Sequence, residues 1–256
     1  MRIGIVGCGH VGTAMKKRFP DAVIYDEPKQ IGTKDEINEC EIAFICVPTP
    51  AKSDGSCDVS IVESVLSWVQ CKTIVIRSTV PIGFTSSMVL KLGKDIVFQP
   101  EYYGETNAHP FSDLANQNWI SLGGSVDAVN RVVNFYQKYV SAETHFYIAD
   151  SNTVELAKYL TNAFLATKVI FCNEMYDLAD KLGVNYNVLR EIWLADPRIG
   201  NSHTFVYPEN RGYGGSCFPK DTSALLCIGE EAGADMTLLE SVIRKNQLLR
   251  KEQNDS

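Results

Sequence analysis

Cys217 stands in the run Gly212-Tyr213-Gly214-Gly215-Ser216-Cys217-Phe218-Pro219-Lys220-Asp221, whose residue types suit a nucleophile. Glycines let backbone approach a ligand closely. Pro219 suits the first position of a helix, so the thiol is expected just before a helix N-terminus. The partial positive charge there, together with Lys220, favours the thiolate that attacks carbon. The other seven cysteines (Cys8, Cys40, Cys46, Cys57, Cys71, Cys172 and Cys227) read as small buried hydrophobes. Lys158 and Asn162 lie four apart in a helical pattern and so share a face. They either stabilise a developing oxyanion or stand as a solvated lysine and a surface asparagine. Pro100-Glu101-Tyr102-Tyr103-Gly104-Glu105 carries two acids. These either present a carboxylate to the same cleft or lie solvated in a loop.

A second constellation opens the chain. Gly7-Cys8-Gly9-His10-Val11-Gly12 follows an apolar run and precedes a helical pattern. The first glycine permits the tight turn, the second lets backbone approach a pyrophosphate, and the third lets helix pack on strand. The helix N-terminus offers its N–H groups to the anion, with His10 and Val11 in its first turn. Asp26, at the end of the next apolar run, is placed to accept both adenosine-ribose hydroxyls and to repel a 2′-phosphate, so NAD is expected over NADP. Val47-Pro48-Thr49-Pro50 and Ser78-Thr79-Val80-Pro81 follow the third and fourth runs, at the strand ends where such sheets bind ligands.

These residues need a sheet to hold them. Ile3–Val6, Ala22–Tyr25, Ile42–Val47, Thr73–Ile76 and Ile96–Phe98 are β-branched or aromatic runs, with Trp119–Leu122 and Thr144–Ile148 as a further pair. Continuous apolar runs suit strands buried on both faces of a parallel sheet. Helical spacing fills the intervals at Val11–Phe19, Val59–Val69, Thr85–Leu92 and Val126–Tyr139. The expected fold is therefore α/β: a Rossmann-like, doubly wound parallel sheet over residues 1–149. An all-α central domain over 150–256 is expected to follow, opening on a spine helix capped by Ser151 or Asn152 and ended by Gly183. Such a long helix often forms a dimer interface.

Composition narrows the partners. The chain has 256 residues, 45% hydrophobic and 21% charged, and a net charge of -7, with no basic run. A broad nucleic-acid-binding surface is not expected, nor is a membrane span, because no run of about 18 apolar residues occurs. The scattered cysteines and histidines lack zinc spacing, so no metal site is expected. Without an export signal the thiols should stay reduced, as in a cytoplasmic protein.

Taken in order, these segments resemble the UDP-glucose/GDP-mannose 6-dehydrogenase family. The resemblance rests on the glycine-rich start, Val-Pro-Thr-Pro, Ser-Thr-Val-Pro, Pro-Glu-Tyr-Tyr-Gly-Glu, Glu-Leu-Ala-Lys-Tyr-Leu-Thr-Asn-Ala-Phe-Leu-Ala, Asp-Pro-Arg-Ile-Gly and Gly-Gly-Ser-Cys-Phe-Pro-Lys-Asp. It runs from Met1 to about Arg250 and implies an NAD-dependent, four-electron oxidation of a nucleotide sugar's C6 alcohol, UDP-glucose foremost, to the acid. It makes Cys217 the nucleophile and Glu105 the base for thioester hydrolysis. Lys158, Asn162 and Asp221 hold a catalytic water and the oxyanion, and Lys220 and Thr79 lie on the cofactor side. Glu101, Tyr102, Tyr103, Tyr213 and Gly214 fall on the substrate side. Arg198 reaches the sugar nucleotide of a neighbouring subunit, which implies a homodimer. The resemblance also has gaps. The resemblance stops short of the family's C-terminal nucleotide-binding domain, which is expected to be missing. A helix after Asp26 is expected to be cut down or lost, and His10 stands where an aromatic residue is frequent.

Overall fold

The computed structural model describes residues 2–103 and 117–254. Its elements are β1 (Ile3–Val6), α1 (His10–Arg18), β2 (Val23–Tyr25), α2 (Lys34–Asn38), β3 (Ile42–Ile45), α3 (Ser60–Trp68), β4 (Thr73–Ile76), α4 (Phe84–Leu92), β5 (Ile96–Phe98), β6 (Trp119–Gly123), α5 (Val126–Tyr136), β7 (His145–Ala149), α6 (Ser151–Lys181), α7 (Tyr186–Trp193), α8 (Phe218–Glu231) and α9 (Thr237–Asn254). The strands form one sheet in the order β2-β1-β3-β4-β5-β6-β7. The reversal of order between β1 and β3 leaves a crevice at the carboxyl ends of those strands.

Alternation explains why the central strands are buried at every position. Ile3 and Ile5, Ile42 and Phe44, Val75 and Val97 point to one face, where Met15 of α1 and Val132 and Phe135 of α5 cover them. Val6, Ala43, Ile45, Ile74, Ile76, Ile96 and Phe98 point to the other, against Val62 and Leu66 of α3 and Phe84 and Met88 of α4. Each strand thus feeds two cores, the pattern of a sheet sandwiched between helices. One pairing departs from the all-parallel expectation: β6 meets β5 antiparallel at Phe98 and Gly123. An apolar run carries no sign of its direction, so this reversal was not legible in it. β6 and β7 are again parallel, registered Trp119 to His145 through Gly123 to Ala149.

The chain divides into two units, Met1–Lys52 with Cys57–Lys158, and Ser53–Ser56 with Tyr159–Ser256. The first holds the sheet. In the second, Ala166 and Ile170 of α6 pack with Tyr213 and with Val242 and Leu249 of α9. Further along α6, Cys172 and Ala179 pack with Tyr186 of α7. Helix α6 ends as expected at Gly183, with φ +67°. The Val184 N–H bonds the Ala179 carbonyl at 2.8 Å and the Gly183 N–H bonds that of Asp180 at 3.0 Å, a left-handed glycine stop. Its start needs a correction, because the capping side chain is Asp150 rather than Ser151 or Asn152. The Asp150 carboxylate accepts from the Thr153 N–H at 2.9 Å and from its hydroxyl at 2.6 Å.

Those bonds, the hydroxyl's first, hold the Asp150 carboxyl below its ordinary value of 3.8. A carboxyl lowered on folding contributes stability above its unfolded pKa and loses it as pH falls through the folded one. Asp150→Ala is therefore expected to lower stability to urea at pH 7. The gap between variant and parent should close as pH falls below 3.8. A gap that persists in acid would mean that Asp150 acts other than as a charged cap.

Two short helices carry their own N-caps. The short α2 opens on a reciprocal capping box between Thr33 and Glu36, as the Thr-x-x-Glu spacing signals, and is the cut-down helix expected after Asp26. Helix α7 follows Asn185, whose side chain accepts from the N–H groups of Asn187 and Val188. No helix among the described residues is long and apolar enough to cross a membrane.

Candidate active site

The first unit builds a dinucleotide cradle from the β1–α1 turn. Gly7 has φ +96°, and a Cβ there would meet the Cys46 carbonyl oxygen at 2.7 Å; a Cβ on Gly12 would collide with the Gly7 carbonyl. Both glycines are thus demanded by the protein's own packing. At Gly9 a Cβ would meet nothing within 4 Å, so backbone there faces open space. Gly9 is also the N-cap of α1 and supplies no side-chain cap to the helix N–H groups. The space is a cavity of about 400 Å³ lined by Cys8, Gly9, Lys17, Lys29 and the rings of His10 and Tyr103. Those rings lie 4.5 Å apart and tilted by 51°, so His10 packs on Tyr103 as an aromatic residue would. Val11, one residue on, packs its side chain into the sheet.

Asp26 stands at the same turn, where its Oδ2 accepts from the Cys8 N–H at 2.6 Å. At the neighbouring strand ends the Ser78 hydroxyl donates to the Val47 carbonyl at 2.6 Å. Cys57 ties the same loops together, its thiol 3.4 Å from the Thr79 carbonyl and 3.8 Å from that of Thr49, next to Pro48. Uncapped helix N–H groups, bare backbone at Gly9 and a carboxylate held beside them fit the pyrophosphate and adenosine ribose of NAD.

Beyond β5 the chain turns through Glu101, Tyr102 and Tyr103. The Glu101 carboxylate accepts from Arg77 at 2.7 Å, and the two side chains are only 12% and 4% exposed. It also accepts from the Tyr103 N–H. Arg77 is the residue that motif reading missed. Burial opposes its charge, but Tyr136, Glu101 and Cys46 around it hold the guanidinium above its ordinary range. Lys158, buried on α6, donates to the Glu101 carbonyl, and its ammonium lies 5.0 Å from the centre of the Tyr102 ring, a cation–π distance. Lys158 is thus not a solvated lysine, and Glu101 is not a solvated loop acid. Glu105 lies outside the described residues.

The second unit carries the thiol. Cys217 is the exposed cysteine among the eight and is the N-cap of α8, with Phe218 first and Pro219 second in the helix. The expected start is thus displaced by one residue. Its carbonyl accepts from the Asp221 N–H at 2.8 Å. Asp221, 1% exposed, accepts from Lys220 at 2.5 Å on one oxygen and from Asn162 at 2.5 Å on the other. Asn162 is thus a buried partner of a carboxylate and not a surface asparagine, while Lys220 is committed to an ion pair. The Tyr213 ring lies in the core, and burial pushes its phenol up. Asn246 holds its backbone at both N–H and carbonyl. Gly214 leaves room for the Arg250 guanidinium, which a Cβ would meet at 3.0 Å. Arg198, 86% exposed, is paired with Asp196 at 2.6 Å.

A doubly wound sheet with this cradle defines an NAD-binding dehydrogenase domain, here joined to a helical domain bearing an exposed thiol. Residues 29–140 match the NAD binding domain of the UDP-glucose/GDP-mannose dehydrogenase family, and residues 152–248 match its central domain. The chain belongs to that family by both domains, and NAD is its cofactor. It is 32% identical over 247 residues to a UDP-glucose 6-dehydrogenase of Rickettsia bellii, an alignment covering 92% of this chain and 56% of the relative. Among solved structures it is similar to a UDP-glucose dehydrogenase of Pyrobaculum islandicum, with TM-score 0.84 and 27% identity over 96% of this chain and 68% of that one. A UDP-D-ManNAc dehydrogenase of Pyrococcus horikoshii follows at TM-score 0.81 and 25% identity, covering 97% and 69%. The chain spans about half the length of the curated relatives it matches.

Proposed function

We propose that the chain carries out the NAD-dependent, four-electron oxidation of a nucleotide sugar's C6 alcohol to the carboxylate, with UDP-glucose as the first candidate. The observation that carries this reading is the exposed Cys217 thiol at the start of α8, on a chain that also holds an NAD cradle. A single alcohol oxidation needs no thiol. NAD, when bound, supplies the acceptor for a hydride in each of two steps. Lys158 or Asp221 assists loss of the hydroxyl proton as the first hydride leaves C6, directly or through water. The Cys217 thiolate adds to the aldehyde carbon, and the oxygen takes a proton to give a thiohemiacetal. Loss of the second hydride and of that proton leaves a thioester on Cys217. Water, its proton taken by Glu105, displaces the thiolate and yields the acid. Lys158 and Asn162 steady the oxyanions, while Lys220 holds the Asp221 carboxylate charged beside them.

We further propose a homodimer. On α6, Leu160, Phe164, Phe171 and Leu178 are all exposed, as are Leu182 just past its end and Ile192 of α7. An apolar stripe of this extent is out of character for a monomer, and a second copy of the chain would cover it. The exposed Arg198 would then exchange its pair with Asp196 for the neighbouring subunit's substrate, as the family resemblance implies.

The test is the number of NADH molecules formed per nucleotide sugar consumed, with a panel headed by UDP-glucose and GDP-mannose, beside the sedimentation mass of the chain. Two NADH per sugar with a uronic acid product, from a dimer, is expected. One NADH would make the chain a simple alcohol dehydrogenase. No turnover with NADH still bound would confine it to cofactor binding and assembly.

A further inference from the structure

Glu155 of α6 is a carboxylate that the reaction above leaves unused, although it is fully buried at 0% exposure. Its Oε2 accepts from the Gly83 N–H at 2.6 Å and its Oε1 from the Thr85 N–H at 2.9 Å. Those N–H groups open α4, whose N-cap, Gly83, lies at φ +86° and brings no side chain to the task. A helix ordinarily takes such an acceptor from its own N-cap residue. Here it comes from 70 positions along the chain. Burial raises the Glu155 carboxyl above its ordinary value of 4.5, Thr85 and Gly83 pull it down, and the charge of Asp150 adds to the rise. Burying an ionised group is costly, so the contacts it makes must outweigh that cost.

Glu155 fastens the start of α4, and with it the loop that carries Ser78 and Thr79, to the first turns of α6. Val154, its neighbour, packs in one core with Val80 and Phe84. The Ser86 hydroxyl donates to the Asn152 side chain at 3.2 Å across the same seam. The sheet also bears on this turn, since a Cβ on Gly123 would meet the Ser151 Cα at 2.7 Å. Three residues beyond Glu155, and so on the same side of the helix, Lys158 donates to the Glu101 carbonyl. We propose that Glu155 is a positioning residue for Lys158: by capping α4 from α6, it fixes the ammonium against the loop of Ser78 and Thr79 before substrate arrives. The inference rests on the role given to Lys158 in the proposed reaction and asks no proton transfer of Glu155 itself. Both oxygens are needed. A glutamine of the same length offers one acceptor and turns an NH2 donor on the other N–H.

The experiment compares Glu155→Gln with the parent chain by lysine reactivity and by kinetics. Acetylation with acetic anhydride, followed by mass spectrometry, reads each lysine separately. Lys158 should react about fivefold faster or more in Glu155→Gln, as a released hydrogen bond allows. Lys94, which donates to the Leu66 and Val69 carbonyls at 2.6 and 2.7 Å, should keep its parent rate. With NAD and UDP-glucose saturating, kcat should fall about tenfold to a hundredfold, as when a reacting group shifts by about 1 Å. KM for UDP-glucose should change less than about threefold. Equal acceleration at Lys158 and Lys94 would overturn the proposal and leave Glu155 a general stabiliser. An unchanged Lys158 rate would overturn it too, as would an unchanged kcat where the parent oxidises the sugar. A parent that forms NADH from neither UDP-glucose nor GDP-mannose overturns the reaction proposed above, and the lysine rates then decide the positioning role alone. Should Glu155→Gln fail to fold, amide exchange in the parent still tests the contact. The Gly83 and Thr85 N–H groups should exchange slowly, being bonded to a buried carboxylate, and fast exchange at both would overturn the proposal.

Discussion

Serine in place of Cys217 is expected to stop formation of the acid while leaving NADH binding and stability intact. The exchange is nearly isosteric and falls at a helix N-cap, where serine is among the preferred residues. Cys217 makes no side-chain cap bond there, so Cys217→Ser gives up no cap and can gain one. The described residues around the cofactor cavity run from Cys8 to Lys29, with Tyr103, and do not include Cys217. What changes is the nucleophile. A neutral hydroxyl adds to an aldehyde weakly and gives no thioester, so acid formation should fall by about a thousandfold or more. At most one NADH per sugar should then appear. Rapid-quench product analysis beside a urea melt separates the outcomes. Normal acid output from a stably folded Cys217→Ser would sink the covalent route. Limited alkylation of the parent offers a check, because Cys217 is exposed while Cys8 and Cys227 are half-buried and the other five cysteines are buried.

What the sequence revealed followed from how local each constraint is. Gly7 and Gly12 were legible because backbone geometry at those positions tolerates no side chain. The strand runs were legible because alternate residues feed two cores. Cys217 stood out because proline and glycine around it announce a helix start. The antiparallel β6 was not legible, since direction is set by the connection before it and not by its own residues. Arg77 and Glu101 pair across 24 positions, and neither residue signals the other. The contact of Lys29 with the Cys8 carbonyl depends on a loop closed by backbone bonds between Asp26 and Ile31, which side-chain types do not encode. Tyr213 sits in a glycine-rich run that reads as a ligand loop, yet Asn246, 33 positions on, fastens its backbone and draws the ring inward. Helix α7 had a readable cap in Asn185, but its 8 residues are too few for helical periodicity to stand apart from a loop.

Asp221 should have two separable effects when it is changed, because its carboxylate is both the anchor of a buried cluster and a group assigned to the reaction. Its side chain is 1% exposed and that of its partner Lys220 16%, with Asn162 on the other oxygen. The acid also lies in the first turn of α8, where the helix field favours a negative charge. Asp221→Ala leaves an ammonium and an amide without their acceptor in a space that water reaches poorly. Breaking such a pair from one side costs about 3 kcal/mol, a fall of roughly 6–12 °C in thermal midpoint for a chain of this size. Acid formation should be lost as well. Removing both charges behaves differently, since a buried ion pair replaced by apolar residues of similar volume is often close to neutral. Asp221→Leu with Lys220→Met should therefore recover much of the stability that Asp221→Ala loses, and the double-mutant cycle should report strong coupling. It should not recover the acid, because neither leucine nor methionine can hold a water or move a proton. If stability and turnover returned together, the carboxylate would be a structural anchor alone, and the proton transfers would fall to Lys158. If Asp221→Ala melted like the parent, the pair with Lys220 would carry no energy, and the cluster could not be what positions Asn162.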